Sequence, residues 1–352
     1  MRLFYRLVFS ILLGAVGGAV FYYFDMPLAW MLGAMTITTI AALAGAPVTL
    51  HMPLRLSMTA VLGTLLGSAF TPQILQQLQN WSAGALTIAI FVTAMTGLSV
   101  FFLRRIGGMD RATAFFSGTP GGLGEMTLVG ELHGGDPRTI ALVHAIRIFV
   151  VVFLLPLFLA GMADLDIPNT ARVLAGRPAA EGSELAILAA CAVIGYILGQ
   201  KLPLPGSQVF IPMMVSAAAY LAGLVEGRPP AELIFVAQVI IGSAIGARFV
   251  GLDLRATAKP IVLGVISALG MLALAAAFAY VVAPLLGLPM YALLLALSPG
   301  GLAEMSLIAL ALDVDTAFVA TMHLVRIMLI VTLAPIFFRA MGWKTAKNQM
   351  MP

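Results

Sequence analysis

Apolar runs of about 18 to 25 residues follow one another along almost the whole chain, each long enough for a helix to cross ~30 Å of hydrocarbon. Short stretches of proline, glycine and charge separate them. In the first half the runs fall near residues 6–24, 27–45, 55–72, 82–103, 111–133 and 138–161. No soluble domain fits between them, so the pattern predicts an all-α polytopic membrane protein whose first partner is the lipid bilayer. The opening MRLFYRLVFSILLGAVGGAVFYYF sets two arginines before an apolar run, as a signal peptide does. That run is too long and is copied later in the chain, so it is expected to be the first membrane helix.

The copy is read from spacing. A constant step of 179 in numbering carries Pro120 onto Pro299, Glu125 onto Glu304, His144 onto His323, Arg147 onto Arg326 and Pro156 onto Pro335. It also carries GTLLGSAF (63–70) onto GSAIGARF (242–249), while Gly17 and Pro27 fall on Gly195 and Pro205 at a step of 178. One drifting residue over this length indicates a tandem duplication. The expected organisation is a first membrane repeat over 1–163, a mixed-charge linker over 164–185, a second repeat over 186–345 and a tail over 346–352.

Six apolar segments per half allow two topologies, which the positive-inside rule weighs. With Arg147 and Arg326 set aside as mid-segment residues, twelve crossings place 12 of 17 basic residues inside and crowd Arg248, Arg255 and Lys259 into one external loop. If the two PGG segments are instead re-entrant or broken, each half has five crossings and the second half is inverted. Fourteen basic residues then fall inside, leaving Arg172, Arg177 and Arg228 outside. The inverted arrangement is preferred, and twelve parallel crossings remain the alternative.

The PGG segments carry the candidate chemistry. In SGTPGGLGEM (117–126) and LSPGGLAEM (297–305) a proline removes a backbone donor and glycines loosen the helix. Unpaired backbone in lipid costs several kcal/mol per group, so each break must be shielded by protein or face a watery cavity. The helix expected to restart at Gly121 would aim free N–H groups into that cavity, with Thr119 and Ser298 as N-caps and proline at the first helical position. Such paired breaks mark the solute site of many secondary transporters. The candidate binding residues are Thr119, Pro120, Gly121, Gly122 and Arg147, with Ser298, Pro299, Gly300, Gly301 and Arg326. Glu125, Glu304, His144 and His323 are the candidate proton carriers. A plainer reading, which can coexist with this one, pairs Glu125 with Arg147 and Glu304 with Arg326 as pins.

Composition narrows the alternatives. One cysteine, Cys191, lies inside an apolar run, so disulfides and thiol-rich metal sites are not expected. A net charge of +4 without a Lys/Arg run gives nucleic acid no basic face. No Gly-Lys-Ser/Thr follows GTPGGLG, so it is not a nucleotide loop. The Gly-x-x-x-Gly pairs 14/18, 63/67, 195/199 and 242/246 favour packing within the monomer over a dimer face, with homo-oligomerisation left open. His51 and His133 read as solvated loop residues, and Asp136 and Asp315 as residues capping the helices that follow them.

The paired TPGGLGEM and SPGGLAEM, each followed by H-x-x-R and a distal proline, resemble the AbrB family of bacterial inner-membrane proteins over essentially the whole chain. The resemblance implies an internal duplication, the multi-pass inner (cytoplasmic) membrane location and a motif at Pro120, Gly121, Gly122, Glu125, His144 and Arg147, with Pro299, Gly300, Gly301, Glu304, His323 and Arg326. Gly124 against Ala303 is a departure between the halves. The soluble DNA-binding regulator of the same name is not resembled. Family members are labelled regulators of gene expression or ammonia monooxygenases. Four histidines, two of them buried in separate repeats, make poor copper ligands, so the chain is expected not to be an enzyme and to need no cofactor. Transport of a small, anionic, proton-coupled solute is the leading expectation, and indirect regulation through a partner is the alternative.

Topology is testable by cysteine labelling in a Cys191→Ala background. Lys259→Cys and Lys347→Cys are expected to react only from the cytoplasm and Arg177→Cys only from the periplasm. External labelling at 259 would restore twelve parallel crossings.

Overall fold

The computed structural model describes residues 2–162, 178–202, 204–312 and 314–342; the side chains of 2, 73–80 and 160–162 are also left aside. Most of the linker, with Arg172 and Arg177, and the tail with Lys347 lie outside the described residues. The described chain is helical: α1 Arg2–Tyr23, α2 Ala29–Leu43, α3 Met52–Gly67, α4 Pro72–Phe101, α5 Arg111–Gly118, α6 Leu123–Leu132 and α7 Pro137–Met162. There follow α8 Gly182–Lys201, α9 Ser207–Leu221, α10 Ala231–Gly246, α11 Ala258–Leu286, α12 Met290–Leu297, α13 Leu302–Ala311 and α14 Thr316–Ala340. Seven helical spans among the described residues are long and apolar enough to cross a membrane, and α2, α3, α9 and α13 are shorter apolar helices. This is a multi-pass, all-α membrane protein.

Helix bounds recur along the chain. Arg111–Gly118 and Met290–Leu297 are offset by 179 at both ends, as are Leu123–Leu132 and Leu302–Ala311, and Met52–Gly67 and Ala231–Gly246. Ala29–Leu43 and Ser207–Leu221 differ by 178.

The chain forms two compact units. The first comprises Met1–Leu78, Val152–Leu254 and Leu302–Ala317. In it α2 packs on α1 and α10, α9 packs on α8 and α3, and α3 meets α10. Exchanging α1, α2, α3 for α8, α9, α10 maps this set of contacts onto itself. Small residues set the crossings: a Cβ on Gly63 would stand 2.5 Å from the Val209 carbonyl oxygen, and one on Gly242 would stand 2.4 Å from that of Met31. One turn on, Gly67 faces Ser216 and the Met213 carbonyl, and Gly246 faces Thr38 and the Met35 carbonyl. In lipid, helices associate through close van der Waals contact, and glycine lets backbones touch. These glycine pairs therefore serve packing within the chain. Leu28, buried at the start of α2, has φ +47, a left-handed conformation that Gly206 (φ +74) supplies without strain at the start of α9.

The second unit comprises Gln79–Val151, Arg255–Gly301 and Phe318–Pro352. Here α4 meets α11 through Ser99 and Ser267, whose hydroxyls are 2.8 Å apart, and through Phe91 and Phe278. A π-helical turn, Phe102–Ile106, ends α4, and Leu103 packs with Ala114 and Leu263. Helices α5 and α6 form a hairpin. The space for a Cβ on Gly130 is 3.1 Å from the Cβ of Phe116, and the Asp136 N–H donates to the Thr113 hydroxyl at 2.8 Å, so the chain leaves beside the point where it arrived. Asp136 accepts from the N–H groups of Arg138 and Thr139 and so caps α7. His133 is buried at the hairpin base between Phe116 and Phe338, its Nδ1 2.7 Å from the Val129 carbonyl. The solvated reading of His133 is therefore corrected: the fold-back closes two aromatic rings over it. His51 is exposed.

The glycine contacts make a graded prediction. On Gly33 a Cβ would stand 2.0 Å from the Gly17 carbonyl oxygen, whereas Gly270 in α11 has open space. Gly33→Ala is expected to destabilise the purified protein by about 1–3 kcal/mol and lower its melting temperature. Gly270→Ala is expected to be neutral or stabilising by up to about 1 kcal/mol. Equal melting temperatures for the two variants would refute the close-approach account.

Candidate functional site

At the tip of the α5–α6 hairpin the backbone leaves helical geometry between Thr119 and Gly122, as proline at 120 requires. Helix α6 restarts at Leu123 with Gly122 as its N-cap. The expected restart at Gly121 is thus corrected by two residues, and Pro120 lies in the break, not in the first turn. The expected capping by Thr119 and Ser298 is corrected as well. The Thr119 hydroxyl donates back to the Phe115 carbonyl at 2.7 Å, and the Ser298 hydroxyl to the Leu294 carbonyl at 2.7 Å. Both fasten the end of the preceding helix, doubling the bonds that the Thr119 and Ser298 N–H groups make to the same carbonyls.

The guanidinium groups complete that task. From mid-α7, buried Arg147 donates to the Thr119 carbonyl at 3.3 Å and the Gly121 carbonyl at 3.2 Å, one on each side of Pro120. Buried Arg326, in α14, donates to the Ser298 carbonyl and, at 2.8 Å, to the Gly300 carbonyl. Ser298 and Gly300 are the repeat equivalents of Thr119 and Gly121, so the two clamps use matching acceptors. A positive charge at the C-terminal end of a short helix also meets the negative end of its dipole. None of the hydrogen bonds of Arg147 goes to Glu125, so the expected Glu125–Arg147 pin is replaced by a guanidinium–backbone clamp.

The histidines extend the clamp. An arginine can only donate, so the 2.7 Å bond from Arg147 to Nδ1 of His144 makes that nitrogen an acceptor and leaves the proton on Nε2, which donates to the Phe116 carbonyl at 2.8 Å. In this arrangement a second proton on Nδ1 would face the Arg147 N–H. His323 makes the matching bond to the Leu295 carbonyl at 2.9 Å, but its buried Nδ1 has no hydrogen-bond partner.

Glu125 is folded over the tip. The place for a Cβ on Gly122 is 2.1 Å from the Glu125 Oε2, so the carboxylate fills the space that glycine leaves. It thereby sits at the positive N-terminal end of α6. Gly121 is next to Ile330 and Met126, each 2.8 Å from its would-be Cβ. Sequence reasoning missed Arg248, whose Nη1 is buried without a hydrogen-bond partner. The departure from the repeat at 248, where the first half has Ala69, was the available signal.

The fold and these clamped breaks define a multi-pass α-helical membrane protein with paired breaks in its short helices. The family model described as "Transition state regulatory protein AbrB" matches residues 30–342, and the chain belongs to that AbrB family. It is similar to "Uncharacterized protein YhjN" of Bacillus subtilis (strain 168), at 25% identity over 94% of this chain and 91% of the relative. It is also similar to "Putative regulator AbrB" of Escherichia coli (strain K12), at 26% identity over 89% of this chain and 90% of the relative.

The clamp predicts a local effect of its removal. Arg147→Met keeps much of the bulk but takes the guanidinium from the Gly121 carbonyl and the His144 ring nitrogen, while the Thr119 carbonyl keeps the Gly121 N–H, at an expected loss of about 2 kcal/mol or more. Arg147→Lys is not expected to rescue it, because an ammonium lacks the fork that spans both carbonyls. Hydrogen exchange of the 121–123 amides is the readout; protection equal to the unmodified chain in Arg147→Met would show that the tip does not depend on the guanidinium.

Proposed function

We propose that this AbrB-family protein is a secondary transporter of a small anionic solute, driven by protons, in the bacterial inner membrane. The observation that carries the reading is the repeated clamp: two unwound stretches of backbone at equivalent positions of the duplicated sequence are each held open by a buried arginine. A loop that only connects helices does not need a buried charge bridging the carbonyls on both sides of its proline. The role of the arginines changes accordingly. They maintain the tip, and the receptor for the anion is the N-terminal end of the helix that follows it.

Glu125 then occupies the anion's place. Protonating it removes a competing negative charge from the end of α6 while a solute anion arrives, so proton and solute enter together. Glu304 is assigned the same role at the second break. The five-crossing halves with opposite orientation belong to this proposal: the α5–α6 hairpin, which returns to its starting level, is the geometry an odd number of crossings requires. The printed name of the E. coli relative favours a second reading, a membrane-embedded regulator acting through a partner. Flux separates them, because a regulator need not move anything.

Proteoliposomes with an imposed pH gradient, screened against a panel of organic and inorganic anions, provide the test. The unmodified chain is expected to accumulate a solute. Glu125→Gln and Glu304→Gln are expected to exchange it but lose proton-driven accumulation, and Arg147→Ala, Arg326→Ala, Gly121→Leu and Gly300→Leu to lose transport at least tenfold. Accumulation by the Gln variants with unchanged pH dependence would remove the glutamates from the coupling step, and absence of flux for every anion would favour the regulator.

A further inference from the structure

A cavity of about 330 Å³ opens in the first unit between the end of α3, with Ser68, Phe70 and Thr71, and the end of α9 and the loop after it, with Tyr220, Glu226 and Arg228. The two stretches meet because α3 and α9 run parallel: Gly63 faces Val209 and Pro212, and Gly67, one turn on, faces Met213 and Ser216. Twelve crossings would point these helices in opposite directions, whereas two halves of five crossings point them the same way. The loop is held more firmly than a connection requires. Glu184 accepts the N–H groups of Glu226 at 3.3 Å and Gly227 at 3.0 Å, and the Tyr220 hydroxyl donates to the Gly227 carbonyl at 2.7 Å. Ala180 N–H donates to the Arg228 carbonyl at 2.8 Å, and Arg228 N–H to the Pro178 carbonyl at 3.0 Å. Val225 is buried with Ala180, Leu188 and Cys191, and a Cβ on Gly227 would stand 2.6 Å from the Ala180 Cα. These contacts are made by backbone, Glu184, Tyr220 and apolar groups, not by the Glu226 or Arg228 side chains.

A molecule entering this cavity meets a carboxylate and a guanidinium carried by one fixed loop. The hydroxyls of Tyr220 and Ser68 spend their protons on the Gly227 and Leu65 carbonyls, each at 2.7 Å, so what they can offer a ligand is an oxygen acceptor. Those oxygens and the Glu226 carboxylate suit an ammonium, while the fork of N–H donors on Arg228 suits a carboxylate. Ligand cavities run from ~300 to 1,000 Å³, so the space matches a small molecule. We propose that this cavity binds a small zwitterion of the amino-acid type, with its carboxylate toward Arg228 and its ammonium toward Glu226. A loop already fixed in place pays little ordering entropy when the ligand arrives. The duplication does not repeat the site: at a step of 178 or 179 the equivalents of Glu226 and Arg228 fall within PVTL (47–50), which carries no charge. The clamped breaks belong to the second unit, so the cavity is a separate site, and binding in it requires no flux.

Calorimetric titration of the full chain in phosphatidylcholine nanodiscs, which expose both faces, tests it with glycine, L-serine and L-glutamine against acetate and methylammonium at constant ionic strength. Saturable binding of at least one amino acid is expected, at least tenfold tighter than that of either single ion. Arg228→Gln and Glu226→Gln are each expected to weaken it at least tenfold. Arg339→Gln, which removes an exposed charge in α14, is expected to leave it unchanged. Thr71→Trp fills the cavity from an exposed position without altering either charge; it is expected to abolish binding, and it carries the comparison if a charge variant does not insert. Acetate or methylammonium bound as tightly as the amino acids, binding that survives the loss of either charge, or no saturable binding of any amino acid overturns the site. Such a result leaves flux through the clamped breaks untouched, just as absence of flux leaves a positive titration standing.

Discussion

A backbone that unwinds inside a membrane protein has to find partners for its carbonyls and N–H groups, because lipid offers none and each unpaired group costs several kcal/mol. Proline at 120 and 299 forces such unwinding, and the protein answers the carbonyl side with buried guanidinium groups from Arg147 and Arg326. Much else depends on this interaction. The direction of the His144 hydrogen bonds follows from it, since the arginine uses Nδ1 as an acceptor. The placement of α5 follows as well, because the Phe116 and Thr119 carbonyls are fixed to His144 and Arg147.

Satisfying carbonyls alone leaves the other side of the break electrically positive. The N-terminal end of α6 is positive, and the Glu125 carboxylate lies beside Gly122 there. Glycine at 122 is thus explained by the carboxylate that occupies its missing side chain's place, which links a sequence feature to an electrostatic one. Arg147 and Arg326 hold backbone carbonyls, whereas Glu125 lies beside the N-terminal end of α6. This division, more than the number of charges, makes a transport role the reading the tip supports best.

Packing in the first unit depends on a different economy of space. Gly63 and Gly67 let α3 lie directly on α9, and Gly242 and Gly246 let α10 lie on α2. Close backbone contact over a full turn resists sliding, since any added methyl meets a carbonyl oxygen. Segments 179 positions apart thus pack alike, while Arg248 stands where the earlier segment has Ala69.

Much was legible from residue order. Apolar runs of membrane-crossing length, the constant step between the two copies and the position of the PGG breaks depend on local composition and spacing, and the helices α5, α6, α12 and α13 fall around those breaks. Sequence also singled out Arg147 and Arg326 as buried charges that need partners. It did not disclose the partners, because carbonyl oxygens belong to every residue and carry no identity in a sequence; a nearby glutamate was the only partner a pattern could name. The hydroxyl of Thr119 had two local acceptor or donor choices within one turn, and the fold of the tip selected the Phe115 carbonyl. Arg248 looked like one basic residue among three in a loop. Only the tertiary structure decided that it is half-buried with its Nη1 unpaired, since burial arises from contacts between elements distant in sequence and has no trace in local order.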